Sequence, residues 1–600
     1  MLDILMVTYN SVRWIRTCFE RIAESAYDLS QVGIYVVDNG STDGTLPVLE
    51  EVKARYAAQF AAFEIRKNKD NVGFGTANNQ AAAMGRGEIL LFLNVDTEVF
   101  QDTLGELMAA VSTDSEETGI WEMMQYPYEH PKLYDPVTRH TSWASGACFA
   151  MRRALFEQIG GFDEHIFMYT EDVDLSWRVR AEGYAIRYVP RSMIVHHSYS
   201  KAGEIKPNQY VYSLVYNLML RLKFGSLTDN LVGCGKMART LLSHTPVKQG
   251  RTLLIQGLFK ALPAYAHAIC WRLRNRKKVK RQRYSFIGWD YEVARDGAFF
   301  YGERLESGPK VSVLIRTCGR PDTLRETLMS VRAQTYRNIE IVVVEDGLGT
   351  SQQMIQREFS DLNIRYRATG SRVGRSAAGN LAMSLASGQY FNFLDDDDVF
   401  FADHVQTLVC EIMRQPAYKV AYSYAFDTPI RVLSRTPYRY EIETYRQTVR
   451  ERFSRLRLLH HNLFPIQAVM FAREVWQQLG GLDETLDMLE DWDMWVRYAS
   501  RYDFLCVEKT TSIYRVPACS EETDKRQRML DEALHMVRQK HHGYSPCWTM
   551  EQIQHDSIEL IEQRDSARFG TRIKKKIRQR LECKNMKKKH KTIGDENDER

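Results

Sequence analysis

Residues 71–97, NVGFGTANNQAAAMGRGEILLFLNVDT, and residues 372–398, RVGRSAAGNLAMSLASGQYFNFLDDDD, superpose without a gap. Gly73 then meets Gly374, Asn79 meets Asn380 and Asp96 meets Asp397. The agreement continues on both sides in the same order. IYVVDNGSTDGT around Asp38 precedes the first copy and IVVVEDG around Asp346 the second. GGFDE from Gly160 and EDVDLSWR from Glu171 follow the first, GGLDE from Gly480 and EDWDMWVR from Glu490 the second. Ordered similarity over separated segments is an internal repeat, and it divides the chain into two domains of roughly 200 to 250 residues.

Each copy opens with a β-rich run, Ile4 to Val7 or Val311 to Ile315, followed by helical spacing from Trp14 to Ile22 or Leu324 to Val331. A second strand ends at Asp38 or Asp346, a third at Asp96 or the cluster Asp395 to Asp398. Strands alternating with helices predict an α/β fold with a mostly parallel sheet, whose ligands sit beyond the carboxyl ends of the strands. The acidic residues fall there. The copies are expected at 1–200 and 309–520, joined by a helical linker at 201–308 and followed by a helical extension with a basic tail at 521–600. In the linker, Tyr210 to Phe224 and Leu253 to Leu273 repeat apolar residues at three and four, ending in the basic stretch Arg272 to Arg283. A helix near Gln527 to Lys540 leads to a tail, Arg564 to Lys591, crowded with Lys and Arg.

The 600 residues are 44% hydrophobic and 26% charged, with a net charge of +5, too small for its length to predict a nucleic-acid partner. Ten cysteines include no C-x-x-C pair, which argues against a zinc site or a disulfide framework and suits a reducing cytoplasm. No signal peptide is recognised, and the lipid-like run Thr252 to Trp271 is broken by Lys260, Pro263 and His267, so no transmembrane helix is expected. The basic stretches read either as solvated helix and disordered terminus or as attraction to an anionic leaflet, where each Lys or Arg contributes about 1 kcal/mol. Without a recognised nucleic-acid motif, DNA binding is the weaker alternative.

Four consecutive aspartates, Asp395 to Asp398, repel one another unless a cation sits among them. Asp395 and Asp397 stand in the D-x-D relation that suits a hard divalent ion sharing its shell with phosphates; an acidic turn capping the next helix is the plainer alternative. The first copy has Asn94, Val95 and Asp96 there, one carboxylate and one amide, with a helix cap as the alternative. Glu171, Asp172 and Asp174, matched by Glu490, Asp491 and Asp493, exceed what capping a helix start requires. A carboxylate beside apolar aromatics suits a general base that deprotonates a hydroxyl, and Asp172 and Asp491 are the candidates. Asp38 and Asp346 read as turn residues or as acceptors of a uracil or thymine imide N–H. Asn71, Gly73 and Gly374 read as a backbone turn beside a nucleotide. One histidine of His196-His197 is a candidate metal ligand, and Arg515, in the matching Tyr514-Arg515 pair, a candidate phosphate ligand.

In this order the motifs resemble family 2 glycosyltransferases with the GT-A fold, over about Leu2 to Ser200 and Lys310 to Val516. The first copy is most similar to bacterial rhamnosyltransferase-like members, which carry V-V-D-N-x-S-x-D-G, N-x-G-F-G-x-x-N-N, L-N-x-D and G-E-D-x-D; Thr170 replaces the leading glycine. The second copy departs by having Arg372 where asparagine is frequent and Tyr514-Arg515 in place of histidine. Neither copy carries the Q-x-x-R-W helix of processive synthases. The resemblance implies two tandem Rossmann-like domains. It implies nucleotide-sugar contacts from Thr8, Asp38, Asn71, Gly73 and Asn94 in one and Thr317, Asp346, Gly374 and Arg515 in the other. Asp96, His196, Asp395 and Asp397 would hold Mn²⁺ or Mg²⁺, and Asp172 and Asp491 would act as bases. The implied activity is bifunctional, metal-dependent hexosyl transfer with inversion, from dTDP- or UDP-sugars to a glycan or lipid-linked glycan of a cell-surface polysaccharide. It is expected in the cytoplasm or peripherally on the cytoplasmic face of the inner membrane. The alternative is one catalytic domain, the second, beside a degenerate glycan- or nucleotide-binding first domain.

Overall fold

The computed structural model describes residues 1–560 apart from 198–204, 298–299, 306, 547 and 559. The expected basic tail lies outside the described residues.

Each domain is built on one α/β sheet, and the two sheets share a strand order, in the GT-A-like arrangement. The first runs Ala62–Lys67, Val32–Asp38, Leu2–Thr8, Ile89–Leu93, Cys148–Arg152, Thr118–Tyr126, Ala185–His196, Thr97–Val99. The second runs Ile364–Ala368, Ile339–Glu345, Val311–Thr317, Tyr390–Asp395, Val469–Ala472, Val420–Arg435, Phe504–Pro517, Val399–Phe400. The first four strands of each are parallel, and the fifth is antiparallel to the fourth. Their central members, such as Val32–Asp38, are buried throughout, as a sheet covered by helices on both faces requires.

Strand register corrects one equivalence read from the sequence. Thr8 pairs with Asp38, but Thr317 pairs with Glu345, so Glu345 takes the place of Asp38 and Asp346 that of Asn39. The side chains follow suit: the Val72 N–H donates to Asn39 Oδ1 at 3.1 Å and the Val373 N–H to Asp346 Oδ1 at 2.6 Å.

The linker is helical over the expected Tyr210 to Phe224, within Pro207–Phe224, and adds Leu227–Leu242; the expected run Leu253 to Leu273 falls in two helices, Gly250–Lys260 and Leu262–Val279, with Pro263 in the first turn of the last, where its missing N–H costs nothing. The expected helix near Gln527 spans Ser520–His541. Each domain is closed by the helix that follows it, through one lysine. Lys223 bridges Asp163 at 2.9 Å and Asp174 at 2.6 Å; Lys540 bridges Asp483 and, at 2.9 Å, Asp493. The third acid of each E-D-x-D run is therefore structural, and it also pairs within its helix to Arg178 or Arg497.

The domains meet across a mixed interface. Met124, Tyr126, Tyr134 and Tyr188 pack with Phe401, Phe426 and Ile513. Arg295 reaches Glu129 of the first domain and, at 2.9 Å, Asp403 of the second, where Lys509 also pairs at 2.6 Å. Buried charges survive because each meets an opposite one.

Candidate functional site

In the first domain the ends of the strands open into a cavity of about 470 Å³ walled by Asn94, Asp96, Glu171, Asp172 and His196. Residues nearly 80 positions apart meet because strand end and helix start face the same rim. The helix Glu171–Ala181 starts after two left-handed residues, Tyr169 at φ 65° and Thr170 at φ 70°; the helix Glu490–Ala499 starts after Leu489 at φ 60°. Strained backbone of this kind costs of order 1–3 kcal/mol, and here it turns the acidic pair toward the cavity.

Asp172 is held by two backbone donors, the Gly146 N–H to Oδ2 and the Val173 N–H to Oδ1, both at 2.8 Å. Burial raises its pKa against that support. Glu171 rises further, to about 8, through burial and the neighbouring Asp172 charge, and its Oε2 is buried without a hydrogen-bond partner. His196 Nδ1 lies 2.9 Å from Gln125 Oε1 and its Nε2 lies 3.5 Å from Asp96 Oδ1, so the ring bridges the two side chains. Burial opposes the Asp96 charge, but the His196 hydrogen bond and charge, a backbone hydrogen bond and the Lys206 charge together hold the carboxyl below its ordinary range. Asp96, His196 and Asn94 line one wall and offer the oxygen and nitrogen donors that Mn²⁺ or Mg²⁺ accepts, while among the described residues the acidic and imidazole ligand atoms that converge within 4.8 Å are those of Asp163, His165 and His267.

The remaining first-domain candidates lie on the same rim but outside that wall. Asp38 is fully buried, accepting from Thr8 Oγ1 at 3.1 Å and the Ser41 N–H at 3.2 Å. Asn71 accepts from Asn39 and from the Gly73 N–H, closing the turn. Gly73 sits at φ +94°, and a Cβ there would lie 2.7 Å from the Phe167 carbonyl oxygen, so the glycine is required by close packing. Asn79 and Asn380 both clasp the G-G-x-D-E turn, donating to Phe162 and Leu482 carbonyls.

The second domain has three adjoining hollows of about 250, 210 and 320 Å³ that share Arg375 and Asp395. Asp491 lines the first, Thr317 and Asp346 the second, Asp397 and Arg515 the third; Gly374 lies beside them at φ +94° and donates to Asp346 at 3.1 Å. The cation that four aspartates demand is supplied by the chain itself. Arg316 grips Asp395 at 2.7 to 2.9 Å and Glu490 at 2.9 Å, while Arg320 pairs with Asp396 and, at 3.0 Å, with Asp397. Asp396 also accepts from Thr317 at 2.6 Å, and Asp398 accepts the Arg515 N–H at 2.9 Å instead of capping a helix. With two guanidinium groups on these carboxylates and Tyr514 where the first domain has His196, this donor set does not fit a divalent ion in the arrangement seen. Arg515 is itself buried, paired with Glu326 at 2.8 Å and Tyr440 at 2.7 Å.

Asp491 accepts from the Trp492 N–H at 2.8 Å and Asn462 Nδ2 at 2.9 Å. Burial, then the Glu490 charge, pushes it up to about 7.

Sequence reasoning missed a third group. Lys132, paired with Glu122 and 4.4 Å above the Trp143 ring, lines the first cavity with His130. So do linker residues Trp289, Tyr291 and Glu292, the last accepting from Ser142 at 2.5 Å. Beyond their aromatic content no periodic signal marks these residues.

The family model for glycosyl transferase family 2 matches residues 3–175 and again 312–475. The N-acetylglucosaminyl-diphospho-decaprenol L-rhamnosyltransferase of Mycobacterium tuberculosis (strain CDC 1551 / Oshkosh) is 26% identical over 219 residues, 29% of this chain and 68% of that protein. The O-antigen biosynthesis protein RfbC of Myxococcus xanthus is 28% identical over 287 residues, 41% of this chain and 21% of that protein. Among solved structures, residues 1–349 of S. aureus TarS in complex with UDP-GlcNAc match at 15% identity and a TM-score of 0.32, over 48% of this chain and 95% of that one. With the family model matched over more than half its length, once in each domain, this chain belongs to glycosyl transferase family 2.

Proposed function

We propose that both domains transfer a sugar from a nucleotide-sugar donor to a hydroxyl of a growing cell-surface glycan, by single displacement with inversion. The observation that carries this reading is the aspartate, Asp172 or Asp491, half-buried at a strained helix start and opening on the hollow that the strand-end acids line. Its hydrogen bonds hold the carboxylate in one orientation, and burial raises its basicity, so that it takes the acceptor proton as the anomeric carbon is attacked. In the first domain Asp96 and His196, with Asn94, would hold Mn²⁺ or Mg²⁺, which when bound supplies positive charge to the departing diphosphate. In the second, Arg316, Arg320 and Arg375 bring that charge to the same side of the site. Asp38 in the first domain and, in the second, Asp346 beside its register equivalent Glu345 are the candidates for holding the nucleobase, and dTDP- or UDP-sugars the candidate donors. The Mycobacterium relative, named for a decaprenol-linked acceptor, supports a lipid-linked glycan here. The test is to screen the full chain against UDP-, dTDP- and GDP-sugars with Mn²⁺, following nucleoside diphosphate release. Release that is stimulated by acceptor and lost on Asp172→Asn or Asp491→Asn is expected; release indifferent to both substitutions contradicts the reading.

A further inference from the structure

The helical segment that follows the first domain wears its apolar residues on the outside. On Leu227–Leu242, Leu227, Leu231 and Leu242 are exposed along one stripe, with the small Gly235 and Ala238 between them. On Gly250–Lys260 the exposed ring is Phe259, and on Leu262–Val279 the stripe is Leu262, Ile269 and Leu273. The opposite faces are the packed ones: Gly233 lies against Arg221, and Gly257 against Val211 and Val215, while Ala264 and Ala268 are buried in the same cluster, all beside the helix Pro207–Phe224. Of the 26 exposed large apolar side chains among the described residues, nine fall between Leu227 and Leu273.

A surface helix ordinarily turns polar residues to water, so stripes of this kind mark a partner. Charge says which. Residues 227–283 contain thirteen Lys and Arg and a single acid, Asp229. Among the described residues no single helix is long and apolar enough to cross a membrane. The pair Gly250–Lys260 and Leu262–Val279 passes that test only together, bent by 49°. With one face of each helix packed on protein, the bend suits helices that lie in an interface more than helices that span it.

We infer that this segment seats in the headgroup region of an anionic bilayer, its leucine and phenylalanine stripes entering the acyl boundary and its lysines and arginines meeting lipid phosphates. The helix Pro207–Phe224, on which the three helices pack, also contributes Gln209 and Ser213 to the wall of the first-domain cavity. Seating therefore brings the cavity of Asp172 to the lipid surface. That consequence, a lipid-linked acceptor, rests on the transfer reading above; the seating does not.

Flotation of the full chain with vesicles of phosphatidylglycerol and phosphatidylcholine (about 3:7), and with phosphatidylcholine alone, tests this without any donor sugar. The native chain is expected to float with the anionic vesicles and to be released by salt. Phe259→Glu with Leu273→Glu, both at exposed positions, should lower partition at least tenfold while circular dichroism is unchanged. Replacing Lys587, Lys588 and Lys589 by Gln in the tail should lower it less. Absence of flotation, full retention by the Phe259 and Leu273 double variant, or loss through the tail variant alone would overturn the inference. So would a dimer that the double variant dissolves without any vesicle binding, since a second copy would then be the occupant.

Discussion

In the first domain Asp96 faces an imidazole; in the second Asp395, Asp396 and Asp397 face two guanidinium groups. The sheets beneath are alike, and the difference arises on the first strand and the turn after it. Register aligns Val7 with Arg316, and four residues further Ser11 stands where the second domain has Arg320. The same substitution separates the acids at the helix start: Glu490 is paired with Arg316, whereas Glu171 has no arginine opposite Val7 and keeps an unpartnered oxygen. The two rims thus hold their acids with different partners, a histidine in the first and arginines in the second.

The sharpest way to break the comparison is to remove the two proposed bases separately. Asp172→Asn and Asp491→Asn should each cost about 10²–10⁴ in one transfer and leave the other standing, as read by mass spectrometry of products. Next in size is the closing lysine. Lys223 is fully buried between Asp163 and Asp174, so Lys223→Met leaves two carboxylates facing no ammonium and should cost about 3–5 kcal/mol in denaturant unfolding. Lys540→Met should cost less, because the Lys540 side chain is 30% exposed whereas that of Lys223 is 0% exposed. Chelation should then distinguish the sites. EDTA and Asp96→Ala weaken nucleotide diphosphate binding to the first domain by at least tenfold, whereas the second responds less to EDTA and more to Arg320→Ala, both read by calorimetry. The smallest effect is in pH. A base whose midpoint is about 7 is protonated as pH falls, so second-domain transfer should drop below neutrality. At pH 6 such a base is roughly one-tenth ionised, and Glu490→Gln, by removing a like charge, should restore less than tenfold.

Much of this was legible in the sequence because it rests on short-range pattern. The repeat from Asn71 to Thr97 located the strand, turn and helix units, and the acids emerged at strand ends as expected. The base-side equivalence failed by one residue because Glu345 and Asp346 are adjacent acids, and only the pairing of Thr317 decides between them. The arginine partners of Asp395 and Asp396 lie about 79 positions earlier, beyond the reach of periodicity. Trp289 and Tyr291 were invisible for the same reason: linker residues become cavity wall only once the linker has packed on the first domain.

On the transfer reading proposed above, one chain carries two nucleotide sites on equivalent rims, one completed by a metal and one by arginine. Calorimetric titration of the matching nucleoside diphosphate into the full chain, with Mn²⁺ and then with EDTA, addresses it directly. Two binding events per chain are expected, of which Asp96→Ala removes the Mn²⁺-dependent one and Arg320→Ala the other; a single event, or two that both vanish in EDTA, would contradict it.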